Sequence, residues 1–173
     1  MLTDRQKIPA SQWRANGLLK HNLIRPDGLI ECKSVLDVGA GIRPMQWYTP
    51  ERHTCVEPYD KYCDKLRDAG YSYVQATAAQ ALGEMTAEAV YLLDVIEHMY
   101  KEEAATAIEL ALKAATRQVV IFTPKGFMEQ EEDGWQLGGD YWQKHRSGWL
   151  PGEFVGWKTQ TYARGFFAVW TAK

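Results

Sequence analysis

The sequence predicts an α/β domain built on a mostly parallel sheet with both faces covered. Three observations carry that reading. Strand-sized apolar runs alternate with helix-like segments up to about residue 123. The runs are apolar almost throughout, as strands buried on both faces must be. The length, 173 residues, matches one domain at roughly 150 residues each.

The elements follow in order. Residues 10–20 fit a short helix with Ser11 as its cap, inside an N-terminal helical extension over 1–30. Ser34 to Val38 is a buried strand ending at a glycine turn. His53 to Glu57 is a second strand, stopped by Pro58. Pro58 to Ala69 is a helix closed by Gly70. Tyr71–Gln75 is a strand, Ala78–Met85 a helix and Ala89–Leu93 a strand ending at Asp94. The strongest helix runs from Tyr100 to Thr116, with Ile108 and Leu112 on one stripe beside Ala104, Ala105, Ala111 and Ala115. Glu102 and Glu103 in its first turn, and Lys113 and Arg117 near its end, suit the helix dipole. Gln118–Thr123 is a fifth strand, stopped by Pro124. The connection 44–50 between the first two strands holds at most one or two helical turns. After Pro124 the rhythm breaks, and 124–150 reads as an irregular segment rich in Gly and aromatic residues. Trp157–Tyr162 and Phe166–Trp170 form a closing hairpin around Arg164-Gly165.

Composition narrows the class. At 46% hydrophobic and 24% charged, the chain is globular rather than disordered or collagenous. No apolar run nears the ~20 residues that span a bilayer, and the start lacks the apolar core of a signal peptide. No membrane partner is expected, and the cytoplasm is the expected location. A net charge of −2 argues against nucleic acid as a partner. Cys32, Cys55 and Cys63 form no C-x-x-C pair, so they read as thiols in a reducing compartment. No disulfide framework, structural zinc site or other metal-ligand cluster is legible.

The turn Asp37-Val38-Gly39-Ala40-Gly41-Ile42-Arg43-Pro44 carries most of the functional signal. Gly39 and Gly41 remove two side chains, so a ligand can approach the main chain. Ligands of open α/β sheets bind at the carboxyl ends of the strands. Glu57, after the second strand, is an acid placed to accept from ribose hydroxyls. Together these describe a site for an adenosine-containing ligand. Pro44 stands where a dinucleotide fingerprint needs its third glycine, and no Lys-Ser or Lys-Thr completes a phosphate loop. An adenosine ligand without phosphates is favoured over a pyrophosphate.

Asp37-Val38-Gly39-Ala40-Gly41 resembles motif I of the class I S-adenosylmethionine-dependent methyltransferases. Leu93-Asp94-Val95-Ile96-Glu97-His98-Met99 resembles the D-V-x-E-H segment after strand four of many members. Thr123-Pro124-Lys125-Gly126-Phe127 and His145-Arg146-Ser147-Gly148-Trp149 resemble later stretches of a subset. The resemblance covers roughly residues 30–171. It implies a Rossmann-like three-layer sandwich with a seven-stranded, mostly parallel sheet and a C-terminal antiparallel hairpin. It implies one domain over 1–173, with 124–150 on the substrate side. The implied cofactor is S-adenosylmethionine. Asp37, Gly39, Ala40, Gly41 and Ile42 would line its methionine and ribose part. Glu57 would take the ribose hydroxyls, Pro58 and Tyr59 would flank the adenine, and Asp94 and Val95 would lie near the methionine amino group or the point of methyl transfer. Where many members carry Asp-Ala after strand three, this chain has Thr77-Ala78. Threonine accepts a hydrogen bond more weakly than a carboxylate, and Gln75 or Gln80 could substitute.

A sulfonium methyl is already electrophilic, so the protein needs only to align an acceptor and, where required, remove a proton. His98 and His145 are the candidate bases, with ordinary pKa values near ~6.5. Each also fits a structural role, His98 beside a helix start and His145 as an anchor of the irregular segment. His21 and His53 have no such context. The acidic run Glu129–Asp133 reads as a solvated loop face. Trp135, Tyr141, Trp142 and Trp149 either pack that segment onto the sheet or line a pocket. No [DN]-P-P-[YF] follows strand four and no Pro-Cys nucleophile is present, which disfavours methylation of nucleic-acid bases. The expected activity is methyl transfer to a small-molecule acceptor. The alternatives are a non-catalytic cofactor-binding module and a nicotinamide-dependent oxidoreductase.

Overall fold

The computed structural model describes residues 24–173. The helix expected over 10–20 and His21 lie outside the described residues. The described part of the expected extension, 24–30, holds a turn and no helix.

Seven strands form one sheet: β1 (Ser34–Val38), β2 (Arg52–Val56), β3 (Ser72–Val74), β4 (Ala87–Leu93), β5 (Ala115–Pro124), β6 (Lys158–Thr161) and β7 (Gly165–Thr171). Their order is β3-β2-β1-β4-β5-β7-β6. The first five run parallel, and β7 pairs antiparallel with both β5 and β6. Four α-helices are present among the described residues: α1 (Asp60–Asp68), α2 (Ala78–Glu84), α3 (Lys101–Ala114) and α4 (Asp140–Gln143).

The central strands β1, β4, β5 and β7 are buried on both faces, which explains their apolar runs. Leu36, Val38, Val90, Leu92, Val119 and Ile121 face one layer, where α2 and α3 pack. Val35, Ala89, Tyr91, Leu93, Val120 and Phe122 face the other. There the cover is largely non-helical: Met45, Trp47 and Tyr48 from the β1–β2 connection and Leu29 and Ile30 from the described N-terminal part. The connection 39–51 contains only turns and bends. Pro44 and Pro50 leave too little chain between them for a stable helix. Aromatic packing fills the space instead, with Trp47 meeting Tyr91 and Phe167 edge-on at 5.6 and 5.8 Å.

The longest helix is shorter than its sequence pattern suggests. It ends at Ala114, and β5 begins at once with Ala115 paired to Ala87. Its buried stripe is Ala104, Ala107, Ala111 and Ala114; Ile108 and Leu112 are only half-buried at its flanks. Small side chains at i, i+3, i+7 and i+10 let the helix approach α2 and the sheet closely.

Register then positions the functional end. Val38 pairs with Val56 and with Leu92, and Leu93 pairs with Phe122. The chain therefore leaves β1, β2, β4 and β5 at one edge, placing Gly39, Glu57, Asp94 and Thr123 side by side.

Ala111→Leu should overpack this stripe and lower stability by about 1–3 kcal/mol. Ala105→Leu, on the exposed face of the same helix, should be close to neutral. Urea unfolding midpoints of the two variants check the contrast, and equal midpoints would show the stripe is misplaced.

Candidate functional site

Gly39 and Gly41 adopt φ of +66° and +56°, the left-handed region that side chains resist. Gly39 N–H donates to the Val56 carbonyl at 2.7 Å, bending the chain sharply back over β2. Glu57, 4% exposed, binds the turn from the other side. Its Oε2 accepts from Gly41 N–H at 2.9 Å and its Oε1 from Tyr59 N–H at 3.0 Å. Burial pushes the Glu57 carboxyl up to about 7, against the lowering effect of those two amides.

A cavity of about 390 Å³ opens at this edge, within the usual range for small-molecule sites. Of the residues singled out in sequence, it is lined by Gly39, Glu57, Pro58, Thr77, Ala78, Asp94, Val95 and His98. Thr77 caps α2 through a reciprocal pair with Gln80. Asp94 holds a left-handed φ of +56°, an uncommon conformation for a residue other than glycine. The opposite wall comes from Tyr141, Trp142, Gln143 and Arg146 of the irregular segment, which puts 124–150 on the cavity.

Asp37, Ala40, Gly41, Ile42 and His145 lie outside this lining. Asp37 Oδ2 accepts from Met45 N–H at 2.6 Å and contacts His53 Nε2 at 3.0 Å. It pins the β1–β2 connection, and His53 is its partner rather than an incidental residue. The space over Gly41 is taken by Trp135, whose ring a Cβ at that glycine would overlap. Trp135 also stands edge-on to Tyr62, at 4.9 Å between ring centroids.

Trp135 is held there by Asp133. Its carboxylate accepts from the N–H groups of Trp135, Leu137 and Gly139 at 2.8, 2.8 and 3.1 Å. Burial opposes its charge, but these amides hold its carboxyl below the ordinary value. The last member of the acidic run is thus a buried hub, whereas Glu129, Glu131 and Glu132 are exposed.

The motif His145–Trp149 docks on the turn after β4. Arg146 and Ser147 N–H both donate to the Glu97 carbonyl, at 2.7 and 3.1 Å. Ser147 Oγ donates to the Ile96 carbonyl at 3.0 Å and the Arg146 guanidinium to the His98 carbonyl at 2.8 Å. Trp149 Nε1–H donates to Ser147 Oγ at 3.0 Å. Lys101 secures the far side, lying 3.6 Å from the centroid of the Trp149 ring and donating to the Gly148 carbonyl at 2.6 Å.

This docking brings His145 against His98, with ring centroids 4.8 Å apart. Burial, then the neighbouring His145, pushes His98 down to about 4, against the attraction of Asp94. Burial also lowers His145. Both imidazoles are therefore neutral near pH 7, the form that can accept a proton. Glu97, 2% exposed, belongs to the same Leu93–Met99 motif, and only its burial and partners in the fold mark it out. Burial, then the nearby Asp94 carboxylate, raises its pKa. Its Oε2 accepts from Thr123 Oγ1 at 3.0 Å, while Oε1 has no hydrogen-bond partner.

The Glu57 shift has a pH consequence. Unfolded, the group titrates near ~4.3; folded, near about 7. The native state alone holds that proton in between, so its contribution is complete below ~4.3 and is lost as pH rises through about 7. From pH ~5 to ~7.5 the wild type should lose on the order of 3 kcal/mol more stability than Glu57→Gln. Urea unfolding at the two pH values measures it, and parallel losses would contradict the assignment.

No protein-family model matches the chain, and no curated protein matches it in sequence. Solved structures match it in fold. DhpI, crystallised as a "DhpI-SAM-HEP complex", superposes with a TM-score of 0.64 at 14% identity over 98% of this chain and 90% of that one. A SAM-dependent methyltransferase from Archaeoglobus fulgidus gives 0.63 at 12% identity over 97% and 94%. Magnesium protoporphyrin IX methyltransferase (ChlM) from Synechocystis with bound SAM gives 0.60 at 12% identity over 94% and 80%. The chain therefore has the Rossmann-like fold of the class I S-adenosylmethionine-dependent methyltransferases.

Proposed function

We propose that the chain binds S-adenosylmethionine in the cavity beside Gly39 and transfers its methyl group to a small-molecule acceptor. The observation that carries this reading is the convergence of Gly39, Glu57, Thr77 and Asp94 on one cavity at the carboxyl edge of the sheet. Glu57 accepts from the ribose hydroxyls, exchanging its two backbone donors for ligand donors. Pro58 and Ala78 flank the adenine, and Thr77 receives its amino group. Asp94 and Val95 face the methionine end, and His98 stands beside the point of transfer. Asp37, Ala40, Gly41 and Ile42 shape the turn from behind rather than touching the ligand directly.

Trp135 adds a step. With its ring over Gly41, the 133–139 segment covers the turn, and the cofactor enters past or beneath it. The acceptor then lies between the sulfonium and the wall of Tyr141, Trp142 and Arg146. Methyl transfer forms the acceptor–carbon bond as the sulfur–carbon bond breaks, and the sulfur keeps the electron pair. While its lone pair is not engaged elsewhere, either imidazole can take a proton from the acceptor, and His98 is the nearer because it lines the cavity.

Calorimetric titration with S-adenosylhomocysteine tests this reading. Saturable binding is expected, and no binding at millimolar ligand by folded protein would overturn it. Thr77→Asp retains a good helix cap and supplies a charge-assisted acceptor for the adenine amino group. It should tighten binding about tenfold, in line with ~1.5 kcal/mol for such a bond. Unchanged or weaker binding would place the adenine elsewhere.

A further inference from the structure

Three side chains at the edge of this cavity have donor atoms within 4.8 Å of one another: Glu97, His98 and His145. Two of those donors are orphans. Glu97 Oε1 and His98 Nδ1 are both buried with no hydrogen-bond partner, a costly state for polar atoms in a protein interior. The third is oriented. His145 Nδ1 lies 2.6 Å from the Met128 carbonyl, to which it must donate, leaving Nε2 as the nitrogen with the lone pair. Anchoring one imidazole nitrogen on a backbone carbonyl is how proteins aim the other at a metal.

We propose that Glu97, His98 and His145 form a binding site for a divalent first-row transition ion at the acceptor end of the cavity. Two neutral imidazoles and one carboxylate are a donor set suited to zinc, manganese, iron or cobalt rather than to calcium or magnesium. The ion would satisfy both orphan atoms at once. Three protein ligands leave positions open for an exogenous group. Because His98 and Asp94 line the cavity, those positions take an oxygen donor, a hydroxyl or carboxylate of the acceptor. The choice of acceptor rests on the methyltransferase reading; the ion site rests on the side chains alone.

The other three-residue cluster among the described residues, Asp37, His53 and Cys55, is not equivalent. Asp37 Oδ2 is already shared by Met45 N–H and His53, and Cys55 is fully buried.

Cobalt(II) titration of the full chain, followed by its visible absorption, tests the site. One equivalent should bind with an intensified d–d spectrum. Binding should weaken at least tenfold in Glu97→Gln and in His145→Asn but not in His53→Asn. Thermal unfolding checks that each variant folds. If one variant fails to fold, the other decides. No binding by wild type, or equal binding by the folded variants, would overturn the site. Acetohydroxamate, a bidentate oxygen donor, should change the spectrum of the cobalt-loaded protein; no change would overturn the open positions. S-adenosylhomocysteine titration of the same variants keeps the two readings apart, because cofactor binding should survive loss of the ion.

Discussion

The backbone carbonyls of Ile96, Glu97 and His98 point away from the sheet after β4, where no strand can pair with them. Arg146 and Ser147 supply four of the donors that satisfy them. Buried carbonyls without partners are costly, so this docking fixes where the irregular chain over 124–150 can go. The far wall of the cavity depends on it: Tyr141, Trp142 and Arg146 take their places because 146–149 is stapled to 96–98. So does the meeting of His145 with His98. Gly148 is required there because a side chain would run into the backbone of Gly126 and Phe127. Lys101 and Trp149 complete the staple from α3, tying the helix that backs the cavity to the segment that covers it.

The opposite wall depends on a different economy of polar groups. Glu57 is buried, yet both its oxygens are occupied by amides of the turns beside it. Those amides preserve the shape of the glycine turn while the carboxyl is held near neutrality by burial. A ligand hydroxyl that displaces one of them offers a comparable bond and leaves the amide free to find solvent or the ligand. Such an exchange costs little. Trp135 occupies the bare face of Gly41. Its place is set by Asp133, whose three amide bonds turn residues 133–139 into a compact loop. Cover and turn are thus organised by two carboxylates of opposite character, one raised by burial and one held ionised by amides.

Fold and site differ in how much of each the sequence discloses. The strands and helices are local: their apolar periods, prolines and glycines lie within the segments they organise, and all seven strands lie where expected, with β5 departing most by starting three residues earlier at Ala115 and β6 one residue shorter at each end. β3 is shorter, Ser72–Val74, because only three residues find pairing partners on β2. The extent of α3 depends on where β5 begins to pair with β4, a contact from outside the helix. The choice of alanines over Ile108 and Leu112 for its buried stripe depends on how close α2 and the sheet stand. The glycine turn, Glu57, Asp94 and His98 were legible because the parallel register gathers strand ends at one edge by geometry alone. Trp135 over Gly41 was not, since the two stand 94 positions apart in the chain and no periodicity links them.

The same distinction separates the two histidines from the carboxyl that joins them. Glu97 and His98 are adjacent in sequence, but neighbours in a turn point in different directions unless something outside fixes them. Thr123 fixes Glu97 by donating to Oε2, which leaves Oε1 facing the remaining space. His145 arrives from 47 residues away, aimed by the Met128 carbonyl. Each of these bonds uses one atom of its side chain and leaves the other directed inward, so the arrangement of the three is dictated by their secondary partners. A sequence lists the three residues but not the bonds that aim them, and only the folded chain brings their free atoms to a common point beneath the strand edge.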